Sequence, residues 1–170
     1  MNEVINAILT RRSIRKYSGE SLPEEMVTVL LQAAMSAPTA RNQRPWQFIV
    51  IRDHENLRKI PDFNPYLWPL NSADMAILVC ADRKLIKSEG FWGQDCSAAT
   101  ENILIAAHSL GLGGVWMGVY PKEELMRSLA TLFGLPDHVM PFSLIGLGFP
   151  AETKSESEKF DQSRVHYNKW

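Results

Sequence analysis

Cysteine is nearly missing from this chain, with two residues, Cys80 and Cys96, in 170. That is too few for a disulfide framework, and both stand in apolar surroundings, so they read as small core residues. Long apolar runs are missing too. The longest, Met75-Ala76-Ile77-Leu78-Val79-Cys80-Ala81, falls far short of a membrane span. With acidic Glu3 near the start and no apolar stretch beside it, no secretory leader is expected, and a soluble cytoplasmic protein is. Neither charge is in excess: 18 Lys and Arg face 19 Asp and Glu, for a formal net charge of −1. A general nucleic-acid binder carries a broad basic excess, so that class is set aside.

Catalytic constellations are scarce as well. His54, His108, His138 and His166 are scattered, none spaced i, i+4 from another His or a Cys, so no metal site is expected. Ser97, Ser109 and Ser143 fall inside predicted helices or a strand rather than on an exposed nucleophile turn, which leaves no hydrolytic triad. Asp95 and Glu101 form a conceivable carboxylate pair, but nothing else supports acid–base work. Gly146-Leu147-Gly148-Phe149-Pro150-Ala151 fits the dinucleotide spacing, yet Pro150 and a polar tail follow where a helix is required. The glycines of 111–118 fail that pattern because Trp116 takes the third place, and no P-loop occurs.

What is present is an ordinary globular mix, 45% apolar and 22% charged, long enough for one domain with a real core over 1–170. Val4, Ile5, Ile8 and Leu9 share one face of a short helix. Ser21-Leu22-Pro23-Glu24 has the form of a capping box with an early proline, predicting a helix to about Ser36. Its core stripe reads Leu22, Met26, Val29, Leu30, Ala33 and Ala34. Strands are predicted at 47–51, 75–81, 115–120 and 140–147, and helical turns at 53–60. A long buried helix is predicted at 95–110, ended by Gly111, and another from Pro121 to Gly134. Residues 61–70, with three prolines and three aromatics, are expected to hold no regular element and to suit a lid. The tail 149–170 lacks any period but ends on aromatics that need burial, either on its own domain or around a second copy.

One stretch concentrates chemistry. Arg11-Arg12-Ser13-Ile14-Arg15-Lys16-Tyr17 holds four cations and a hydroxyl, read as a hinge between two packed helices. Arginine's planar fork gives phosphate two parallel hydrogen bonds and keeps its charge. Three charge-assisted bonds would contribute about 5–9 kcal/mol gross, against the roughly 8 kcal/mol net of micromolar binding. Such a cluster anchors a phosphate, and apolar burial of a larger group must supply the rest. A solvated basic face or a nucleic-acid patch is the plainer reading, and the near-zero net charge tilts the balance towards a small anion. A polar loop after Pro38 and a glycine-rich approach to Trp116 and Met117 complete a setting for a flat, elongated redox cofactor.

Four blocks in order carry a family resemblance: 11–17; Ser36-Ala37-Pro38-Thr39-Ala40-Arg41-Asn42-Gln43-Arg44-Pro45-Trp46; Gly111-Leu112-Gly113-Gly114-Val115-Trp116-Met117-Gly118; and Arg164-Val165-His166-Tyr167-Asn168-Lys169-Trp170. Together they resemble the nitroreductase family of FMN-dependent oxidoreductases in its short form. The resemblance implies an α+β fold, a mixed central sheet flanked by helices in an FMN-binding sandwich. It implies an interlocked homodimer with FMN at the interface and 149–170 as an arm on the partner subunit. Arg11 and Ser13 would bind the phosphate, Arg12 would lie near the phosphate and ribityl chain, and Arg15 near the N1/O2 edge, where reduced flavin is negative. Pro38, Thr39, Ala40 and Asn42 would come from the partner and cover the ring, and backbone at Met117, Gly118 and Val119 would approach N5. Relatives carry arginines in the C-terminal segment where this sequence has Ser157 and Lys159, and Lys159 is the match that would complete the phosphate site. Residues 61–70 and Trp92 are the candidates for substrate cover. The implied activity is NADH- or NADPH-driven, ping-pong reduction of nitroaromatics, quinones or other small electron acceptors, with hydride passing through flavin N5. The alternatives are a flavin-binding sensor and an oxidase or dehydrogenase with its own substrate.

Overall fold

A computed structural model describes residues 2–155 and 158–170. Its centre is strand β2, Met75–Asp82, flanked by β1, Trp46–Ile51, and β4, Val139–Gly148, with β3, Gly113–Gly118, beyond β4. The order is β1-β2-β4-β3, and each ladder is antiparallel. The sheet's parallel element is a bridge from Ser13 to Gly114. Residues Met75 to Ala81 are fully buried, as a strand covered on both faces must be, and this is why their sequence is one continuous apolar run.

Side chains alternate across that strand and sort the core in two. Met75, Ile77, Val79 and Ala81 join Ile145 and Leu147 beneath helices α2, Glu24–Met35, and α4, Trp92–Ser109. Ala76, Leu78 and Cys80 join Leu144, Val115 and Met117 on the other face. That face is covered by α3, His54–Lys59, by α5, Glu123–Leu132, and by two 3-10 turns, Ile60–Phe63 and Pro65–Asn71. The α+β class and the central sheet flanked by helices are as the sequence led us to expect. Cys80 and Cys96 are buried and unpaired, and burial pushes both thiols up to about 12.

Several local expectations need correction. The first helix, α1, Glu3–Thr10, is not packed by its apolar face: Val4, Ile5, Ile8 and Leu9 are 45–61% exposed and only Ala7 is buried. Residues 11–17 are therefore no hinge between packed helices. Ser21 does not cap α2; Pro23 occupies that place with no side-chain bond. The Leu22 N–H instead donates to the buried Asp74 carboxylate at 2.9 Å; Val27 faces inward with Leu30 and Ala34, and Val29 is exposed. Strand β3 sits two residues earlier than expected because Val119 and Tyr120 both donate to the Phe142 carbonyl and leave the ladder. Pro121 precedes α5 rather than opening it, since Lys122 first closes a turn onto Val119. The three prolines of 61–70 do allow 3-10 geometry, with Leu67 and Leu70 buried beneath exposed Tyr66 and Trp68.

Candidate functional site

Beyond α1 the chain runs along the β3–β4 end of the sheet. The Ile14 N–H donates to Gly114 O at 3.1 Å, the Ser18 N–H to Phe149 O at 2.9 Å, and the Ala151 N–H to Lys16 O at 2.9 Å. Glycines permit the approach. A Cβ on Gly113 would lie 2.6 Å from Ile14 Cγ2, and one on Gly148 2.9 Å from the Tyr17 ring. Tyr17 locks the turn by donating from its hydroxyl to Ile14 O at 2.7 Å, with Gly146 O at 3.0 Å, and burial pushes its ionisation above the ordinary tyrosine range.

The predicted cations do not all share one cavity. Arg15, Met117 and Gly118 line a cavity of about 250 Å³ together with Tyr66, Trp68, Trp116 and Lys122. This puts the 61–70 segment against the expected ring site, with the Lys122 ammonium 6.0 Å from the Tyr66 ring centroid. Arg12 lines a different cavity of about 280 Å³ with Thr10, His108, Glu152 and Lys154, and its guanidinium donates to Ser155 O. Arg11 is held by Glu101, Nε to Oε1 at 3.3 Å. Lys159 Nζ lies 3.3 Å from Arg11 O and 3.4 Å from Leu9 O, at the C-terminal end of α1, where an ammonium complements the helix dipole. Ser157 lies outside the described residues. Val119 is buried, and its N–H is spent on Phe142 O.

Pro38, Thr39, Ala40 and Asn42 sit on a separate loop, which α4 supports from below. The Asp95 carboxylate, 4% exposed, accepts from the Ala40 N–H at 2.9 Å and from Gln43 Nε2 at 2.5 Å. Gln43 Oε1 in turn accepts from the N–H groups of Lys87 and Ser88 at 2.8 and 2.9 Å. Arg41, Asn42 and Arg44 are left-handed, with φ of 52°, 51° and 46°. Among the described residues, no side-chain hydrogen bond or ion pair joins this loop to Arg11, Arg12, Ser13 or Arg15.

Sequence reading missed Glu152, Gln43 and the supporting role of Asp95. The Glu152 carboxylate accepts from the Arg15 N–H at 2.6 Å and pairs with Lys154 at 2.6 Å. Lys154 above all, then the backbone of Arg15 and Lys16, holds it below the usual carboxylate range. No local pattern marks Glu152. Asp95 was findable, since an acid within a helix apolar on most faces needs a buried partner. Trp92 does not line the cavity of Arg15 and Met117; it lines a groove with Ser97, Tyr120 and Phe142, edge-on to Tyr120 at 4.8 Å. Ser143 is a core residue bonded to Thr100 at 2.8 Å.

Comparison with known proteins places this geometry. The model of the nitroreductase family matches residues 8–93 and 70–149. A protein of Methanothermobacter thermautotrophicus, provisionally named NADH dehydrogenase/NAD(P)H nitroreductase, is 52% identical over 168 residues, which span 99% of this chain and 88% of that protein. A crystal structure from Parabacteroides distasonis with the same provisional name superposes with a TM-score of 0.95 at 36% identity, covering 100% of both chains. A provisionally named nitroreductase from Desulfovibrio desulfuricans, solved in complex with FMN, gives a TM-score of 0.86 at 32% identity, covering 100% of this chain and 99% of that one.

Proposed function

The chain belongs to the nitroreductase family, and on that premise we propose an NAD(P)H-dependent FMN oxidoreductase whose acceptors are nitroaromatics, quinones or similar small molecules. The enzyme class and the cofactor rest on the family match and on the relatives just described. The acceptors, the use of one cleft in turn by donor and acceptor, the dimer and a cytoplasmic location are the proposal.

The residues present fit FMN. One observation carries this: the cavity that gathers Arg15, Met117 and Gly118 is lined by two cations, several apolar side chains and no carboxylate. A slot walled by aromatic and aliphatic side chains and carrying fixed positive charge suits a ring that gains negative charge on reduction. Beyond its chain neighbours, no atom of the described residues lies within 4 Å of where a Cβ on Gly118 would stand, so the approach to the ring is open. Arg11 Nε lies 3.3 Å from the Glu101 carboxylate, and among the described residues no hydrogen bond engages its terminal amino groups, which suits them to phosphate. Lys159 adds a second cation beside it.

When bound, FMN supplies the redox chemistry, taking two electrons from NAD(P)H and passing them to the acceptor, so no side-chain acid or nucleophile is required. The chain's own work is to grip, orient and cover. Arg11, Ser13 and Lys159 hold the phosphate, Arg15 faces the pyrimidine edge, and the 61–70 segment walls the slot. Arg12, in its separate cavity, holds the tail through Ser155. Pro38, Thr39, Ala40 and Asn42 are supplied by the partner subunit. Two unpartnered surfaces support a homodimer: the exposed apolar face of α1, and the outer edge of β1, which pairs with β2 alone among the described strands. Tyr167 and Trp170, 78% and 101% exposed, give the 149–170 arm something to bury there. Among the described residues no helix is long and apolar enough to cross a membrane.

The absorption spectrum of the purified dimer tests the reading. A flavin spectrum bleached anaerobically by NADH or NADPH and restored by a quinone or nitroaromatic is expected. A colourless protein that takes up no FMN refutes it, and a flavin that neither nucleotide bleaches makes the protein a sensor. Arg11→Ala should weaken FMN binding about tenfold or more, the loss of one or two charge-assisted bonds, measured by fluorescence titration of the apoprotein.

A further inference from the structure

The 39–44 loop spends conformational strain on arginine. Three of its residues are left-handed, and Asn42 is a type that tolerates this well. Arg41 and Arg44 are not, and glycine would occupy either position without strain. Buried groups enforce the shape: Asp95 and Gln43, each 4% exposed, tie the loop to α4 and to the 87–88 backbone through four hydrogen bonds. Arg44 Nε donates to Asn42 Oδ1 at 2.7 Å, which stiffens the rim, while Arg41 is exposed and no hydrogen bond or ion pair engages its guanidinium among the described residues. The result is a rigid ledge presenting two guanidinium groups with no acid bonded to either.

We propose that Arg41 and Arg44 form an anion-docking ledge that takes a phosphate of the nicotinamide dinucleotide, held ready by the buried Asp95–Gln43 pair. The inference rests on the reading that this loop covers the flavin of the partner subunit. A ledge at that cover meets a reductant whose nicotinamide must lie flat on the ring while its phosphates trail out of the slot. Arginine is suited to that role, because its fork pairs with two phosphate oxygens at once. Preorganisation matters, since ordering the strained backbone and the Arg44 side chain at the moment of binding would consume much of the gain. Asp95 and Gln43 are positioning residues, acting through the loop.

The test is equilibrium titration of NAD+ and NADP+ into the FMN-loaded dimer, followed by perturbation of the flavin spectrum. Arg41→Gln should weaken both dinucleotides about tenfold, and Arg44→Gln less, because its Nε stays committed to Asn42. Equal weakening assigns the pyrophosphate and weakening of NADP+ alone assigns the 2′-phosphate; either supports the ledge. Asp95→Asn should weaken dinucleotide binding although both arginines remain, and the exchange Asp95→Asn with Gln43→Glu, which reverses the pair while keeping its hydrogen bonds, should restore it. Unchanged affinity in the double arginine variant, with flavin retained, overturns the proposal and leaves the flavin reading intact. Loss of flavin from Arg41→Gln assigns the cations to the cofactor and also overturns it. A wild-type protein that takes up no FMN removes the reading on which the ledge depends, and the ledge with it.

Discussion

The cationic segment 11–17 and the loop 39–44 are both predicted to touch the same cofactor, yet they are held by opposite means. Backbone hydrogen bonds to Gly114, Phe149 and Ala151 lay the segment on the sheet, and glycines at 113 and 148 make room for it. Within 11–17 no residue has positive φ, so little strain is stored. The loop has three left-handed residues and is pinned by two buried side chains. A surface held by backbone is a fixture whose side chains can vary. A surface held by a buried acid and amide depends on those two residues, and each exchange there is felt at once.

Asp95→Ala should break this contrast most severely. It orphans the Ala40 N–H and the Gln43 amide, at about 1–3 kcal/mol for each buried group, so a loss of about 3 kcal/mol is expected. Denaturant unfolding reads that loss, and proteolysis should find the 39–44 loop first while 11–17 stays protected. A wild-type cleavage pattern would show that the loop stands without its support. Gly113→Ala attacks the other region. A Cβ 2.6 Å from Ile14 Cγ2 and 2.9 Å from its Cβ forces the segment off β3, at about 1–3 kcal/mol for overpacking. FMN affinity should drop with it, although no charged group has been altered. Retained affinity would mean that the phosphate grip does not need the β3 contact.

How much of this was legible follows from what kind of contact does the holding. Strand β2 announces itself as an unbroken apolar run, because burial on both faces leaves no polar position from Met75 to Ala81, and α4 by the small and apolar residues at most of its buried positions. The glycines at 111–118 and the arginines at 11–15 were readable as candidates for a ligand setting. Their division was not. An extended segment alternates its side chains, so Arg12 and Arg15 line separate cavities, while sequence proximity made them one cluster. The exposed face of α1 was misread for a related reason: amphipathic spacing says that a face must be covered, not by which chain. That Asp95 needs a buried partner was readable from its helix, but that the partner lies 52 positions away was not, and nothing local marked Glu152, whose partner is 137 positions away.

The smallest expected effect lies where the backbone-held region borrows a side-chain support. Thr10, just ahead of Arg11, gives its hydroxyl hydrogen to Asn6 O at 2.8 Å, which leaves its oxygen to accept from His108 Nε2 at 2.8 Å. Burial first, and the nearby Arg11 charge second, hold His108 below its ordinary value of 6.5. A lowered folded-state value means that the unfolded chain takes up the proton more readily. The contribution of the neutral ring is therefore complete above about pH 6.5 and is lost as the pH falls through the lower folded-state value. The ring is only partly buried, so the slope is shallow and is best read as a difference. Unfolding midpoints of the wild-type protein and of His108→Gln, compared from pH 7.5 down to pH 5, should converge as the pH falls. Gln retains an N–H for Thr10 without a titrating proton. Parallel curves would show that the histidine does not sense pH, and that its contact with Thr10 adds no pH-dependent support to the segment beginning at Arg11.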